Sequence, residues 1–277
     1  MRTTFPPSFV PANPLFPLTL SATLAGALVP FAAVGHWAAF ACRAVPAALA
    51  AAFNPSWWIR PFYSVLIGGL PLAVVAGLAI GVVVWVHTRG VLSRTGPGAT
   101  DYLPTVLAAA VFLELAPIGA GLILAARTGA RLGAELAAMK FGEQVDALEL
   151  IGVSPMQRLV GPRVLACVLA GPLLHAVVAA LAIGSGYIAE SLGDGMSWLK
   201  FRGAATKELR FGEVLAAGAK TLVFGGLVGV TGCFLGLRAT GGAEGVGTAA
   251  TRSVVYSVLL VLLADVLLVG LIQVTIG

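Results

Sequence analysis

Residues 62–86 read FYSVLIGGLPLAVVAGLAIGVVVWV, an apolar run without a single charged side chain. A transmembrane helix needs about 20 consecutive, mostly apolar residues, so this run is long enough to cross a bilayer. Four further runs of the same kind occur at 103–126, 164–189, 214–237 and 253–276. The sequence therefore predicts five transmembrane helices, and an odd number of spans places the two ends of the chain on opposite sides of the membrane.

The composition of the whole chain supports the same class. Of the 277 residues, 58% are hydrophobic and 10% are charged, whereas about 25% are charged in a typical soluble domain. In lipid only helices and closed barrels satisfy their own backbone polar groups, and barrel strands would show short stretches of alternation. The long runs rich in Leu, Val, Ala and Gly predict an all-α membrane protein.

The net charge of +5 forms no basic stripe, so no nucleic-acid partner is expected.

The region before the first span, residues 1–61, predicts an extended segment followed by one or two helices in the membrane interface. Five early prolines favour extended or irregular backbone, and the apolar stretch 19–53 is interrupted by Pro30. Trp37, Trp57 and Trp58 are expected to anchor this region at headgroup level. A cleaved signal peptide is the competing interpretation, which the prolines and the weakly charged start disfavour. Residues 62–277 form the expected permease domain.

Lys and Arg residues indicate the orientation. The loop 127–163 contains five of them, which favours a cytoplasmic position for that loop. The loop 190–213 contains four and opposes this assignment. The resulting topology has the N-terminus inside and the C-terminus outside.

Residues 135–152 read ELAAMKFGEQVDALELIG and combine acidic with apolar positions at helical spacing. Gly152 suits the C′ position that ends a helix. Ser154 and Pro155 suit the N-cap and N1 positions of the next helix. The pattern predicts a short amphipathic helix across the cytoplasmic mouth between the second and third spans. An ordinary amphipathic loop helix is the alternative.

This segment closely resembles the signature of the MlaE/YrbE permease family, the membrane subunits of MCE-associated ABC lipid transporters. The matching residues are Glu135, Met139, Lys140, Glu143, Gln144, Asp146, Ala147, Leu148, Glu149, Gly152, Pro155, Pro162 and Arg163. Two further stretches agree with the family: ELAP at 114–117 followed by ARTG at 126–129, and GGAEGVG at 241–247 followed by ATR at 250–252 and Asp265. The resemblance extends from residue 62 to the C-terminus.

The resemblance implies a multi-pass permease of the bacterial cytoplasmic (inner) membrane that pairs as a dimer, with a homodimer expected. It implies a separate cytoplasmic ABC ATPase that holds the ATP, an MCE-domain protein at the outer face, and an accessory subunit of the STAS type. The chain itself is expected to bind no cofactor or metal. ATPase coupling is assigned to Lys140, Glu143, Gln144, Asp146 and Glu149. Structural roles are assigned to Gly152, Pro155, Arg163 and Asp265.

The expected substrate is phospholipid or another hydrophobic lipid, and Glu114 is the main candidate for contacting it. A charged side chain at mid-span costs about 2.5–3.5 kcal/mol on insertion scales. Pro117 cannot donate a hydrogen bond to the carbonyl of Leu113, so a polar spot is expected there; Leu78 of the first span is assigned to the same site. A role for Glu114 in the lipid cavity and a purely structural role as a protonated acid both remain open. The family commonly has Arg where this chain has Leu113, so no adjacent cation is predicted to keep Glu114 ionised.

Several other residues are predicted to serve packing. Asp265 in the last span is expected to contact a Ser, a Thr or the backbone, and His175 is expected to be structural. The isolated Cys42, Cys167 and Cys233 are expected to be packing residues. The glycines of the first and fourth spans are expected to bring helices close together.

Two other classes of membrane protein are alternatives to a permease. A membrane-embedded lipid-modifying enzyme needs a cluster of acids, His or a nucleophile, and the three His residues are widely separated. A non-catalytic scaffold is not excluded by any feature. Residues 212–221 end in Gly-Ala-Lys-Thr, which differs from a phosphate-binding loop because Ala219 separates Gly218 from Lys220, so ATP binding by this chain is not expected.

Overall fold

The computed structural model describes residues 20–96, 98–194, 196–207 and 209–276. Throughout these ranges the regular structure is helical. The chain divides into two units, residues 1–39 and 40–277. The predicted extended segment before residue 20 lies outside the described residues. The following apolar stretch forms one helix, α1 (Leu20–Ala52), which continues through Pro30 rather than breaking there.

Five helical segments of the described chain are long and apolar enough to cross a membrane, which confirms the predicted number. They are Pro55–Thr95, Ala99–Phe141, Met156–Gly193, Phe211–Leu237 and Gly242–Thr275. Each overlaps one of the five apolar runs and begins three or more residues before it.

The first, fourth and fifth spans are single α-helices: α2 (Pro55–Thr95), α9 (Phe211–Leu237) and α10 (Gly242–Ile276). The second span is composite. It consists of a 3₁₀ turn Ala99–Tyr102, α3 (Leu103–Ala109), a π-helical turn Ala110–Leu115, α4 (Ala116–Ile123), a second π-helical turn Leu124–Gly129, and α5 (Ala130–Phe141). The third span begins with a π-helical turn, Met156–Val160, and continues as α7 (Gly161–Asp194). Two short helices join spans: α6 (Gln144–Leu150) and α8 (Trp198–Lys207).

Glycines allow the spans to approach closely, as the sequence predicted. A Cβ built on Gly81 of α2 would lie 2.0 Å from the carbonyl oxygen of Ala182 in α7. A Cβ on Gly225 of α9 would lie 2.3 Å from the carbonyl oxygen of Cys167 in α7. Because real Cβ atoms do not come so near, only glycine permits these backbone contacts, and α7 packs against both α2 and α9.

The segment 135–152 is not one helix, which corrects the predicted extent. Its first part belongs to α5 and so continues the second span. The chain then breaks at Glu143, whose φ of 57° lies in the left-handed region, before α6 begins. The predicted end is confirmed: Gly152 has a φ of 77°. The Val153 amide donates to the Leu148 carbonyl at 2.9 Å and the Gly152 amide to Glu149 at 3.0 Å, which is the Schellman arrangement.

Replacing Gly225 with Ala is expected to destabilise the protein by about 1–3 kcal/mol, the usual cost of overpacking, because the added methyl group must push α9 away from α7. Gly226→Ala is the matched control, since its Cβ would meet only the Val168 side chain at 3.6 Å. The measurement is the thermal unfolding midpoint of detergent-purified protein. Equal midpoints for the two variants would contradict the proposed backbone contact.

Candidate functional site

A buried ion cluster joins the second, fourth and fifth spans. The ammonium of Lys220 in α9 lies 2.7 Å from Oε2 of Glu114 and 3.0 Å from Oδ1 of Asp265. It also donates a hydrogen bond to the Leu113 carbonyl at 3.3 Å. The contact with Asp265 is an ion pair in which Oδ1 is not aligned to accept a hydrogen bond. One cation therefore holds two carboxylates and a backbone oxygen from three different spans.

The members of the cluster differ in accessibility. The side chain of Lys220 is 2% exposed and that of Asp265 is 11% exposed, whereas that of Glu114 is 45% exposed. Removing an ion from water costs several kcal/mol unless it is paired, so Lys220 and Asp265 depend on each other. Glu114 is the member that reaches the surface of the chain.

The local backbone explains why Leu113 can accept from Lys220. Glu114 and Leu113 lie in the π-helical turn Ala110–Leu115, and such turns are frequent at functional sites. Pro117 lacks an amide hydrogen and cannot donate to the Leu113 carbonyl. The polar spot that the sequence predicted here therefore exists, and the Lys220 ammonium occupies it.

Two predictions about these acids were wrong. Asp265 contacts Lys220 rather than a Ser, a Thr or the backbone. Glu114 does have a neighbouring cation, which comes from another span and not from the adjacent position. The sequence carried a usable signal, since a Lys inside an apolar run of span length indicates a functional site or a buried pair.

Of the other residues assigned to the lipid site, Leu113 is the one that makes a hydrogen bond to the cluster within the described ranges. Pro117 is buried within the second span. Leu78 is 43% exposed on α2, and its carbonyl accepts a hydrogen bond from Ser185 at 3.1 Å. His175 is buried, with Nε2 3.1 Å from the Phe112 carbonyl and its ring in an edge contact with Phe112. These contacts fit the packing role predicted for His175.

The residues assigned to ATPase coupling are grouped around α6. Lys140, Glu143 and Asp146 line a cavity of about 290 Å³ whose opposite wall is the loop 239–242. Gln144 and Glu149 are exposed on α6 outside this cavity. Among the residues of α6, only Val145 is buried. The short helix therefore presents acidic and polar side chains away from the bundle.

The residues given structural roles lie at the same end. Arg163 forms an ion pair with Glu135 at 2.5 Å and so joins the third span to α5. Pro155 directly precedes the π-helical turn that starts the third span. Cys167 and Cys233 are buried and carry free thiols, and Cys42 is exposed. In the part of the chain that the structure describes, no group of three or more His, Cys, Asp or Glu could hold a metal.

These features define a multi-pass helical membrane protein with charged groups placed inside the spans, as expected of a transport subunit. The family described as Permease MlaE matches residues 58–271. The chain therefore belongs to the MlaE permease family, which confirms the resemblance drawn from residues 135–163.

Alignments with similar proteins cover most of the chain. A probable ABC transporter permease protein of Rickettsia typhi is 30% identical over 238 residues, which is 86% of this chain and 91% of that protein. A probable ABC transporter permease protein of Synechocystis is 34% identical over 61% of this chain and 64% of that protein. The chloroplastic protein trigalactosyldiacylglycerol 1 of Arabidopsis thaliana is 30% identical over 72% of this chain and 67% of that protein. The chain is accordingly a membrane permease subunit of the ABC transporter type.

Replacing Lys220 with Met is expected to destabilise the protein by about 3–5 kcal/mol, because Asp265 is left buried without a counter-ion. The double variant Lys220→Met/Asp265→Asn should recover most of that loss, since no buried charge remains. Thermal unfolding in detergent measures both effects.

Lys200→Met is the matched control. Lys200 pairs with Asp101 at 2.8 Å, but both side chains are about 60% exposed, and exposed pairs contribute about 0–1 kcal/mol. A double variant at 220 and 265 that is as unstable as Lys220→Met alone would contradict the mutual dependence of the two charges.

Proposed function

We propose that this permease moves phospholipid or another hydrophobic lipid across or out of the bacterial cytoplasmic membrane, driven by a separate ATPase. The family and the ABC permease relatives support the transporter class. The name of the Arabidopsis relative contains that of a galactolipid, trigalactosyldiacylglycerol, which favours a lipid substrate for the group.

The observation that carries the proposal is the half-exposed Glu114 carboxylate inside an apolar span. Leu115, next to Glu114, is 37% exposed, and Val106, earlier in the same span, is 45% exposed, so the charged spot lies in a span with an exposed apolar surface. An amphiphile has the matching chemistry, because its headgroup can contact the charged spot while its acyl chains lie on the apolar surface. A small hydrated solute would gain no binding free energy from contact with that apolar surface.

Glu114 and Lys220 have different tasks in this proposal. Lys220 keeps Asp265 as a buried counter-ion even when Glu114 moves, so the cluster can exchange one partner without leaving an isolated charge. The Glu114 carboxylate can then contact a positively charged or hydrogen-bonding part of the lipid headgroup. It returns to Lys220 when the lipid leaves. Glu114 lies in a π-helical turn, a local irregularity of the kind that is frequent at functional sites.

Coupling to the ATPase is proposed at the α6 end of the bundle, defined here as the end that carries residues 135–163 and 238–242. This end faces the cytoplasm in the topology favoured by Lys and Arg. The acidic side chains of α6 and the cavity beside the loop 239–242 form a surface suited to a basic groove on the ATPase. The opposite end, with α8, would meet an MCE-domain protein. A second permease copy and a STAS-type subunit complete the proposed assembly.

Copurification of an ABC ATPase with lipid-stimulated turnover is the general test. Turnover that requires this chain and rises with added phospholipid would support the permease. A lipid-modifying enzyme would instead convert lipid without nucleotide, and a scaffold would show neither activity.

Glu114→Gln is expected to leave the protein folded and assembled but to reduce lipid transport at least tenfold. The amide keeps the size and hydrogen-bonding capacity, and Lys220 retains Asp265, so stability is preserved while the exposed charge is lost. Transport of fluorescent phospholipid by reconstituted complex is the measurement. Wild-type transport by this variant, with an unchanged unfolding midpoint, would remove Glu114 from the lipid site.

Charge reversal of Glu143 and Asp146 to Lys is expected to weaken ATPase binding at least tenfold while leaving the unfolding midpoint unchanged. Both side chains are exposed, so the change alters docking rather than folding. The control is Glu213→Lys at the opposite end of the bundle. If the double variant retains ATPase at wild-type stoichiometry with lipid-stimulated hydrolysis, the assignment of α6 to coupling is wrong.

A further inference from the structure

A second charged cavity lies at the α6 end, between the first, second and third spans. It has a volume of about 520 Å³, within the range of small-molecule sites. We call it the arginine pocket. Its charged and aromatic lining consists of Arg60, Arg131, Arg158, Arg163, Glu135 and Trp57.

The arginine pocket has an excess of positive charge. Four guanidinium groups face one carboxylate, a formal excess of +3. Only Arg163 is neutralised locally, by Glu135 at 2.5 Å. Arg131 donates to the hydroxyl of Ser64, and Arg158 stacks 4.7 Å over the ring of Trp57. These contacts orient both guanidinium groups without cancelling their charge.

Arg60 is the arginine of the pocket that is most accessible to a bound anion. It is exposed, and among the residues that the structure describes it has no ion-pair partner. Guanidinium groups bind phosphate oxygens through two parallel hydrogen bonds. Positioned arginines without a nearby counter-ion therefore favour a phosphate-bearing anion.

We propose that the arginine pocket binds the phosphate of an anionic phospholipid headgroup in the leaflet at the α6 end. Basic pockets between transmembrane helices at the cytoplasmic side are suited to such headgroups, and Trp side chains favour headgroup level. The α2 surface beside Arg60 supplies a place for an acyl chain. Ile59, Tyr63 and Ile67 follow one another at four-residue spacing and are 51%, 65% and 44% exposed.

An acyl chain attached to the bound headgroup can lie on this stripe, and a soluble phosphate ester has no such chain. The pocket is also separate from the ion cluster. Arg131 follows Glu114 by a helical rise of roughly 25 Å along the second span. The inference therefore holds whether or not Glu114 contacts transported lipid.

The test measures retention of dioleoylphosphatidylglycerol by the purified full-length chain in detergent, using native mass spectrometry. Dioleoylphosphatidylcholine and glycerol 1-phosphate are the comparison probes. We expect phosphatidylglycerol to bind more tightly than either. In Arg60→Gln/Arg158→Gln its apparent affinity should fall at least fivefold.

The matched control is Arg238→Gln/Arg252→Gln. Arg238 lies 5.0 Å over the ring of Phe234, like Arg158 over Trp57, and both control residues are exposed outside the arginine pocket. The control removes the same charge and should change the affinity less than twofold. Arg60→Gln alone serves if the double variant fails to fold, because Arg60 forms no ion pair with the residues that the structure describes, and it should still lower the affinity measurably.

Three results would overturn the proposal. If the control pair lost as much affinity for phosphatidylglycerol as the pocket pair, the lipid would be held by the overall positive charge and not by the arginine pocket. Equal retention of phosphatidylcholine would remove the selectivity for an anionic headgroup. Displacement of phosphatidylglycerol by equimolar glycerol 1-phosphate would identify a site for soluble phosphate esters instead of lipid.

Discussion

The ammonium of Lys220 imposes the strictest constraint on this bundle. A charge at this depth is stable only beside counter-ions, and its two carboxylates come from the second and fifth spans. The three spans must therefore keep a common register along the membrane normal. Sliding α9 or α10 by a helical turn, about 5.4 Å, would separate Lys220 from Asp265 and leave Asp265 buried without its counter-ion, whereas sliding the second span would break the ion pair with the more exposed Glu114.

Close backbone packing makes this arrangement possible. Asp has a short side chain, so α10 must lie near α9 for Asp265 to reach Lys220. Small residues on α9 permit the same proximity elsewhere: Gly225 meets α7, and a Cβ on Gly236 would lie 2.9 Å from the carbonyl oxygen of Gly133 in α5. The fourth span thus packs closely against α5 and α7 and also carries the buried cation. Its position is determined by sterics and electrostatics together.

The features that could be predicted from the sequence are those that depend on local patterns. Hydropathy identified all five spans, and Gly152 identified the end of α6, because both signals lie within a few consecutive residues. The partners of Glu114 and Asp265 were not predicted, since Lys220 is separated from Glu114 by 106 positions. The break at Glu143 was also missed, because a non-glycine residue in the left-handed region has no reliable sequence signature.

The two charged regions differ in sign as well as in depth. With all groups ionised, the ion cluster carries two carboxylates and one ammonium, a formal charge of −1, whereas the arginine pocket has an excess of +3. An anionic phosphate is therefore attracted to the arginine pocket and repelled by the accessible Glu114. A zwitterionic headgroup can present its cation to Glu114 and keep its phosphate apart. The charge distribution thus favours the binding of anionic lipid at the α6 end. It leaves the half-exposed Glu114 to contact a headgroup that bears a positive or hydrogen-bonding group.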